Sequence, residues 1–294
     1  EAVSRRVRGN LPCEQKKVTP TNRRSYTPLL TASADPLPKT PARVHTKRPG
    51  VSTEVLLVSV TDIESQAILA VFPGAIKTVI QNRTYFSLGR VGQTRTYMVQ
   101  ATGIGPAGMR TCIEDGIRAL SPEAVILVGI AFGLKAGCQQ IGDVLVSRQI
   151  QDYDPQRHGM GPDQQLLVHL RGNRVTATEW LLDRFSAGKH DWQGPATIHT
   201  GLLLSGSLLI DHREMRERLL HLAPEALGGE MEGATFCDVA LRNRVDWIVV
   251  KAIADWADGN KRQDEQEQQK YAAENAAQFV HHIIRQPDFI QKNA

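Results

Sequence analysis

The sequence predicts an α/β domain built on a mixed, mostly parallel sheet covered by helices. Three observations predict it. Short runs of adjacent apolar residues recur, as in strands buried on both faces. Stretches with helical periodicity lie between some of them. The two patterns largely alternate, with some consecutive strands in the middle.

Residues 1–50 come first and differ from the rest. They hold seven of the fifteen prolines and follow no period of 2 or 3.6. They carry eleven Lys and Arg against three Asp and Glu, a net +8, while residues 51–294 carry 24 against 28, a net −4. The composition is that of a disordered tail or linker. A basic arm for nucleic acid or a transit peptide would share the charge, but the prolines disfavour an amphipathic helix. The chain opens on Glu1 rather than Met, as expected of a processed chain or a piece of a longer one.

The predicted domain spans 51–294. Its strands are VLLVSV (55–60), TYMVQATG (96–103), AVILVGIAFG (124–133), DVLVSRQI (143–150), GLLLSG (201–206) and DWIVVKAIAD (246–255). Helical faces are formed by Met109, Cys112, Ile113, Ile117 and Leu120, and by Ala272, Ala276, Phe279, Val280 and Ile283. A third helical stretch is Ala234–Leu241. No apolar run is long enough to span a bilayer. The four cysteines form no CxxC pair and no zinc spacing, so a reducing, cytoplasmic setting is expected, with no metal and no cofactor.

Gly103-Ile104-Gly105-Pro106-Ala107-Gly108 fits GxGxxG after a strand and before a helix. The next strand ends in Gly129-Ile130-Ala131-Phe132-Gly133, with no acid to hold a ribose, which argues against a dinucleotide-binding oxidoreductase. Two glycine-rich strand ends suggest one pocket instead, with Gly105, Ile130, Ala131 and Phe132 around it. Tight strand–helix packing would also select these glycines. Three acids stand at strand exits: Glu64, Glu232 in Gly228-Gly229-Glu230-Met231-Glu232-Gly233-Ala234, and Asp255, with Lys251 four residues earlier. Each alone could serve a helix N-terminus. Together they could converge on one cleft.

These motifs carry a resemblance. From about Val55 to Ile284 the chain resembles the nucleoside phosphorylase superfamily, and most of all its methylthioadenosine/S-adenosylhomocysteine nucleosidase branch. The ordered set is IES, TGIG, VGIAFGL with IGDVLVS, GLLLSGSLLI, GGEMEGA and VVKAIADWAD. The resemblance implies a three-layer α/β/α fold, a homo-oligomer, and cleavage of a purine N-glycosidic bond through an oxocarbenium-like sugar. It implies that Asp255 protonates the leaving purine, held protonated by burial. It implies that Glu64 activates the water and that Glu232 accepts from the ribose hydroxyls. Met231 would pack on the ribose, and Ile210 would read the base through its backbone. Lys251 replaces an arginine near the water, keeping charge but losing the bidentate fork. Leu209 stands where the nucleosidases stack an aromatic ring, and Ser207 replaces an acid.

The first loop lacks the arginine of hexameric phosphorylases, and Ile130 replaces their phosphate-holding serine. Water is therefore the expected nucleophile. A phosphate-dependent phosphorylase and a non-catalytic nucleotide-sensing module are the alternatives. Residues 151–158 and 257–262 resemble phosphorylase-type modules of bacterial signalling and anti-phage proteins, some of which strip adenine from ATP. Arg157, Lys261 and Arg262 could there reach a polyphosphate, or be ordinary exposed loop charges. The basic tail fits a module tethered to a signalling domain or partner.

Overall fold

A computed structural model describes residues 54–260, 265–287 and 289–290. The expected tail, Lys261 and Arg262 lie outside the described residues. The expected strands and helices all form. They are β1 (Val55–Ser59), β4 (Thr94–Gln100), β5 (Ala124–Gly133), β6 (Val144–Asp152), β10 (Ile198–Ser205), β12 (Asp246–Asp255), α2 (Pro106–Leu120), α5 (Gly233–Arg242) and α6 (Glu265–Ile284). Further elements are α1 (Asp62–Val71), β2 (Ile76–Ile80), β3 (Arg83–Val91), β7 (Gln156–Met160), β8 (Leu166–Leu170), β9 (Arg174–Thr176), α3 (Glu179–His190), α4 (Arg213–Leu222) and β11 (Ala226–Glu230).

The large sheet runs β11-β10-β6-β12-β5-β1-β4-β3-β2, with β9 on β6. Its buried centre is parallel: β4, β1, β5 and β12 run together, as do β6, β10 and β11. Antiparallel pairs join β12 to β6 and add β3 and β2 at one edge. Strand β11 also pairs antiparallel with β5, at Gly228↔Gly133 and Gly229↔Phe132. Five strands thereby close into a ring. Helices α1, α3 and α6 cover one face, and α2 packs with α5 on the other. This is the expected α/β/α sandwich around a mixed sheet, mostly parallel at its core. Strands β7 and β8 form a separate hairpin.

The centre is apolar because the parallel strands have no wet face. Every residue of β1 is buried, and Trp247, Ile248, Val249 and Val250 of β12 are fully so. Helix α6 packs on β12 and β5, with Phe279 at the middle of its buried face. The Phe279 ring meets Trp192 edge-on at 5.3 Å and Phe185 at 5.9 Å, and stacks on His282 at 6.5 Å. Cys112 and Cys237 are buried thiols in this core. Among the described residues no helix is long and apolar enough to cross a membrane.

Truncating Phe279 leaves a cavity bounded by stiff aromatic rings. Phe279→Ala should therefore lower unfolding stability by about 3–5 kcal/mol. Urea denaturation followed by tryptophan fluorescence checks it, and a loss under about 1 kcal/mol would show that α6 is not held here.

Candidate active site

Strands β1, β5 and β12 run the same way, and Glu64, Lys251 and Glu232 gather beside their carboxyl halves. Helix α1 begins directly after β1. Thr61 caps it and forms a capping box with Glu64: the Glu64 N–H donates to Thr61 Oγ1 at 3.3 Å, and the Thr61 N–H donates to Glu64 Oε2 at 2.9 Å. The Val60 N–H donates to the same oxygen at 2.8 Å. The other oxygen, Oε1, accepts from the Ile130 N–H at 2.8 Å and from Lys251 Nζ at 3.4 Å. Glu64 thus caps its helix and also reaches across to β5 and β12. Four donors face a carboxylate with about four lone-pair positions. The Lys251 contact is the longest of the four.

Lys251 and Gly129 are register partners on β12 and β5. A Cβ at Gly129 would overlap the Glu64 carboxyl and crowd Lys251 Nζ. Gly129 is therefore a window through which the acid and the ammonium meet. The Lys251 side chain is 1 % exposed and that of Glu64 2 %. Lys251 Nζ also stands 3.9 Å from Glu232 Oε2. Burial presses the Lys251 pKa down, but Glu64, Glu232 and Glu230 outweigh it and hold the ammonium charged.

The stretch GGEMEGA divides into unlike parts. Its first three residues belong to β11. Glu230 accepts from the backbone N–H groups of Glu232 and Gly233 at 2.8–3.0 Å, closing the α5 N-terminus. Glu232 turns the other way. Its Oε1 accepts from the Gly105 N–H at 3.0 Å. Gly105 is the N-cap of α2 at φ +89°, a conformation natural only to glycine. The GxGxxG turn thus presents its backbone to a carboxylate of the chain itself. Burial, and the Glu230 and Glu64 charges, raise the Glu232 pKa to about 7 against the pull of Lys251 and the Gly105 N–H.

Asp255 ends β12. Its Oδ1 accepts from the Ala257 N–H at 2.8 Å. Ala257 is fully buried at φ +49°, a strained position for alanine, so this carboxyl is fixed by a tight turn. Phe132 pairs with Asp255 across the strands and lies in one apolar cluster with Ile210, Tyr153 and Ala257. Ala131 is buried beside Ile253, its register partner. Met231 is half-buried next to Glu232. Leu209 is 72 % exposed, with no ring in the place expected of an aromatic residue.

Direct contacts thus join Glu64, Ile130, Lys251, Glu232 and Gly105, while Ile210, Phe132 and Asp255 gather beside the β5–β12 exit. Arg157 is not drawn in. It is exposed on β7 opposite His169, and among the described residues no hydrogen bond or ion pair ties it to the others. Sequence reasoning gave no role to Thr61 or Tyr153, and read Gly129 only as part of a glycine-rich strand end. The Thr-x-x-Glu pattern at 61–64 was the legible sign of the first; nothing local marked Tyr153. Among the described residues no group of three or more His, Cys, Asp or Glu side chains is placed to hold a metal ion.

The unfolded chain releases the Glu232 proton near 4.5 and the folded one near 7. Between these values the folded state binds more protons, so its stability falls as pH rises through that window. Glu232→Gln removes this loss. Between pH 5 and 8 the parent should lose on the order of 2–3 kcal/mol more than the variant. Urea midpoints at both pH values check it, and identical pH dependence would show that Glu232 titrates normally.

Several known proteins are similar to this chain. A death domain-containing ATP nucleosidase from Amphimedon queenslandica is 30 % identical over 180 residues, 55 % of this chain and 34 % of that protein. The chain thus spans about a third of that relative's length. A 5′-methylthioadenosine/S-adenosylhomocysteine nucleosidase from Staphylococcus aureus (strain JH9) is 24 % identical over 196 residues, 65 % of this chain and 82 % of that protein. The crystal structure of the Neisseria meningitidis enzyme of that name, in complex with methylthio-immucillin-A, superposes with TM-score 0.67 at 20 % identity, covering 79 % of this chain and 99 % of the other. Futalosine hydrolase of Helicobacter pylori superposes with TM-score 0.66 at 19 % identity, covering 79 % and 97 %. At such identities the superpositions show the fold. The family profile of the phosphorylase superfamily matches residues 58–285, most of the chain, and on that match, with the strand-end cluster in place, the chain belongs to the phosphorylase superfamily.

Proposed function

We propose that this chain is an adenine nucleosidase, hydrolysing the N-glycosidic bond of an adenine nucleoside or nucleotide. One observation carries water rather than phosphate as the nucleophile. The Ile130 N–H at the β5 exit, a donor an anion would need, is taken by Glu64. Two buried carboxylates, Glu64 and Glu232, share the single Lys251 ammonium beside it. Such a cluster repels phosphate and admits neutral water. The named relatives, an ATP nucleosidase and methylthioadenosine/S-adenosylhomocysteine nucleosidases, support the same reading.

In this mechanism Glu232 accepts hydrogen bonds from the ribose hydroxyls and stabilises the charge that grows on the sugar. Asp255 gives its proton to the purine N7 as the bond to C1′ breaks. Water attacks C1′ and passes its proton to Glu64. The Lys251–Glu64 contact, the longest at that carboxylate, is the one a water can replace. Ile210 reads the base edge, with Leu209, Phe132, Ala131 and Met231 around base and sugar. Arg157 on its hairpin would reach a polyphosphate. ATP is the first substrate to try, in view of the relative named for it. Defence signalling, a homo-oligomeric state, a cytoplasmic setting and a tether through residues 1–50 complete the reading. The death domain in that relative's name supports the tether.

Incubation with ATP, AMP, adenosine and methylthioadenosine, with and without phosphate, tests the reading by assay of free adenine. No adenine from any of them sinks it, and dependence on phosphate would assign a phosphorylase instead. Asp255→Asn should lower kcat by about 10²–10⁴-fold with the fold unchanged by circular dichroism. Full activity in that variant would show the proton donor to be misassigned.

Arg157→Ala should raise KM for ATP about tenfold and leave KM for adenosine within about twofold. Steady-state kinetics on both substrates decide it. Equal effects on the two would remove the polyphosphate contact.

A further inference from the structure

The residues 206–212, between β10 and α4, carry Leu209 and Ile210 and form neither helix nor strand. Two side chains from the β6–β7 connection hold them. Tyr153 Oη donates to the Leu208 carbonyl at 3.2 Å. The Ser207 N–H donates to Asp154 Oδ2 at 2.7 Å. Tyr153 is 1 % exposed, and its ring lies against Gly206, where a Cβ would overlap it. Burial, with the Asp154, Glu230 and Asp152 charges, pushes its pKa well up, so the phenol remains a donor. Backbone bonds fix the loop's entry: Tyr153 N–H to Ser205 carbonyl at 3.0 Å, and Gly206 N–H to Glu230 carbonyl at 3.1 Å. At its far end the Gly259 N–H donates to Asp211 Oδ1 at 3.1 Å, tying the loop to the segment after Asp255.

Ordinary loop packing does not require the two side-chain bonds. Ser207 and Leu208 are exposed, so water could satisfy their backbone groups. What the bonds add is orientation. Both end on the three residues before Ile210, whose backbone N–H and carbonyl read the base. The anchoring residues also form the root of the β7–β8 hairpin, where the Arg171 N–H donates to the Pro155 carbonyl at 2.7 Å and the Asp152 N–H to the Asn173 carbonyl at 3.0 Å.

We infer that Tyr153 and Asp154 are positioning residues for base recognition, setting the backbone of residues 207–210 from the root of the β7–β8 hairpin. The inference rests on the base-reading role given above to Ile210. It makes base affinity a property of the hairpin's attachment as well as of the loop.

Adenine binding to the purified chain, measured by calorimetry, tests this without turnover. Tyr153→Phe and Asp154→Ala should each weaken adenine binding about five- to tenfold, the loss of one orienting hydrogen bond. KM for the nucleoside should rise in step, with kcat within about twofold. Asp154→Asn, which keeps an acceptor for the Ser207 N–H, should restore parental affinity. Unchanged adenine affinity in both Tyr153→Phe and Asp154→Ala overturns the inference and leaves the nucleosidase reading standing. So does a fall in kcat matching the rise in KM, which marks a general structural role. A parent that binds adenine but releases none from any substrate sinks the nucleosidase reading and leaves the positioning role intact. A parent that does not bind adenine overturns the inference, while release of free adenine still decides the nucleosidase reading.

Discussion

The Lys251 ammonium lies 3.4 Å from Glu64 and 3.9 Å from Glu232, almost wholly shielded from water. A lone buried charge would lose its proton or unfold the site. Here the nearby carboxylates more than repay the burial of the ammonium. The arrangement depends on chain geometry at several removes. Strands β12 and β5 must pair in the register that sets Lys251 beside Gly129. Gly129 must lack a side chain, and α1 must start where its cap turns Glu64 inward. Strand β11 must end where Glu232 faces the α2 N-terminus. Each of these elements comes from a different part of the chain, and the shared ammonium is where their positions are checked against one another. A lysine suits the place, since a point charge can serve two acids approaching from different directions, where a guanidinium would favour one planar fork.

The two acids of GGEMEGA show how backbone direction assigns roles that composition leaves equal. Both are buried and two residues apart. Glu230 is the last residue of β11, and its carboxylate folds forward onto the first amides of α5. That choice satisfies helix donors and leaves Glu230 occupied. Glu232, just past the strand, points across to Gly105 and Lys251. The ring closure of β11 on β5 explains the surrounding glycines. A side chain at Gly228 would meet the Phe132 carbonyl, and one at Gly229 would overlap the Phe132 ring. These glycines let β11 cross against β5 and leave room for the Phe132 ring.

Sequence was most informative where burial is complete. The apolar runs of β1, β5 and β12 have no polar face, so they read as strands without knowledge of their neighbours. Helices α2 and α6 read as amphipathic because each buries one face. The missed elements have the opposite character. In β2 and in the β7–β8 hairpin most residues are exposed, so hydrophobicity carries no period there. Strand β11 contains two glycines and one acid, with no apolar run to mark it; only pairing on both sides makes it a strand. The acids were legible as strand-exit residues. That Glu64 both caps its helix and reaches Ile130 and Lys251 was not, because an acid at a helix N-terminus is already accounted for by the helix. The two roles are compatible: a capping box supplies the orientation that the longer reach requires.

The same logic bears on Tyr153, which local sequence did not mark. A tyrosine at the end of a strand reads as core, and Tyr153 is core by burial. Its distinction lies at one atom, the hydroxyl, which reaches the carbonyl of an exposed residue rather than an apolar neighbour. A phenylalanine would pack as well against Gly206. What it could not do is hold the Leu208 carbonyl against exchange with water, and with it the direction of the backbone that leads to Ile210. Such a residue is found only when the loop it orients and the strand that carries it are seen together, 55 residues apart in sequence and in contact in the fold.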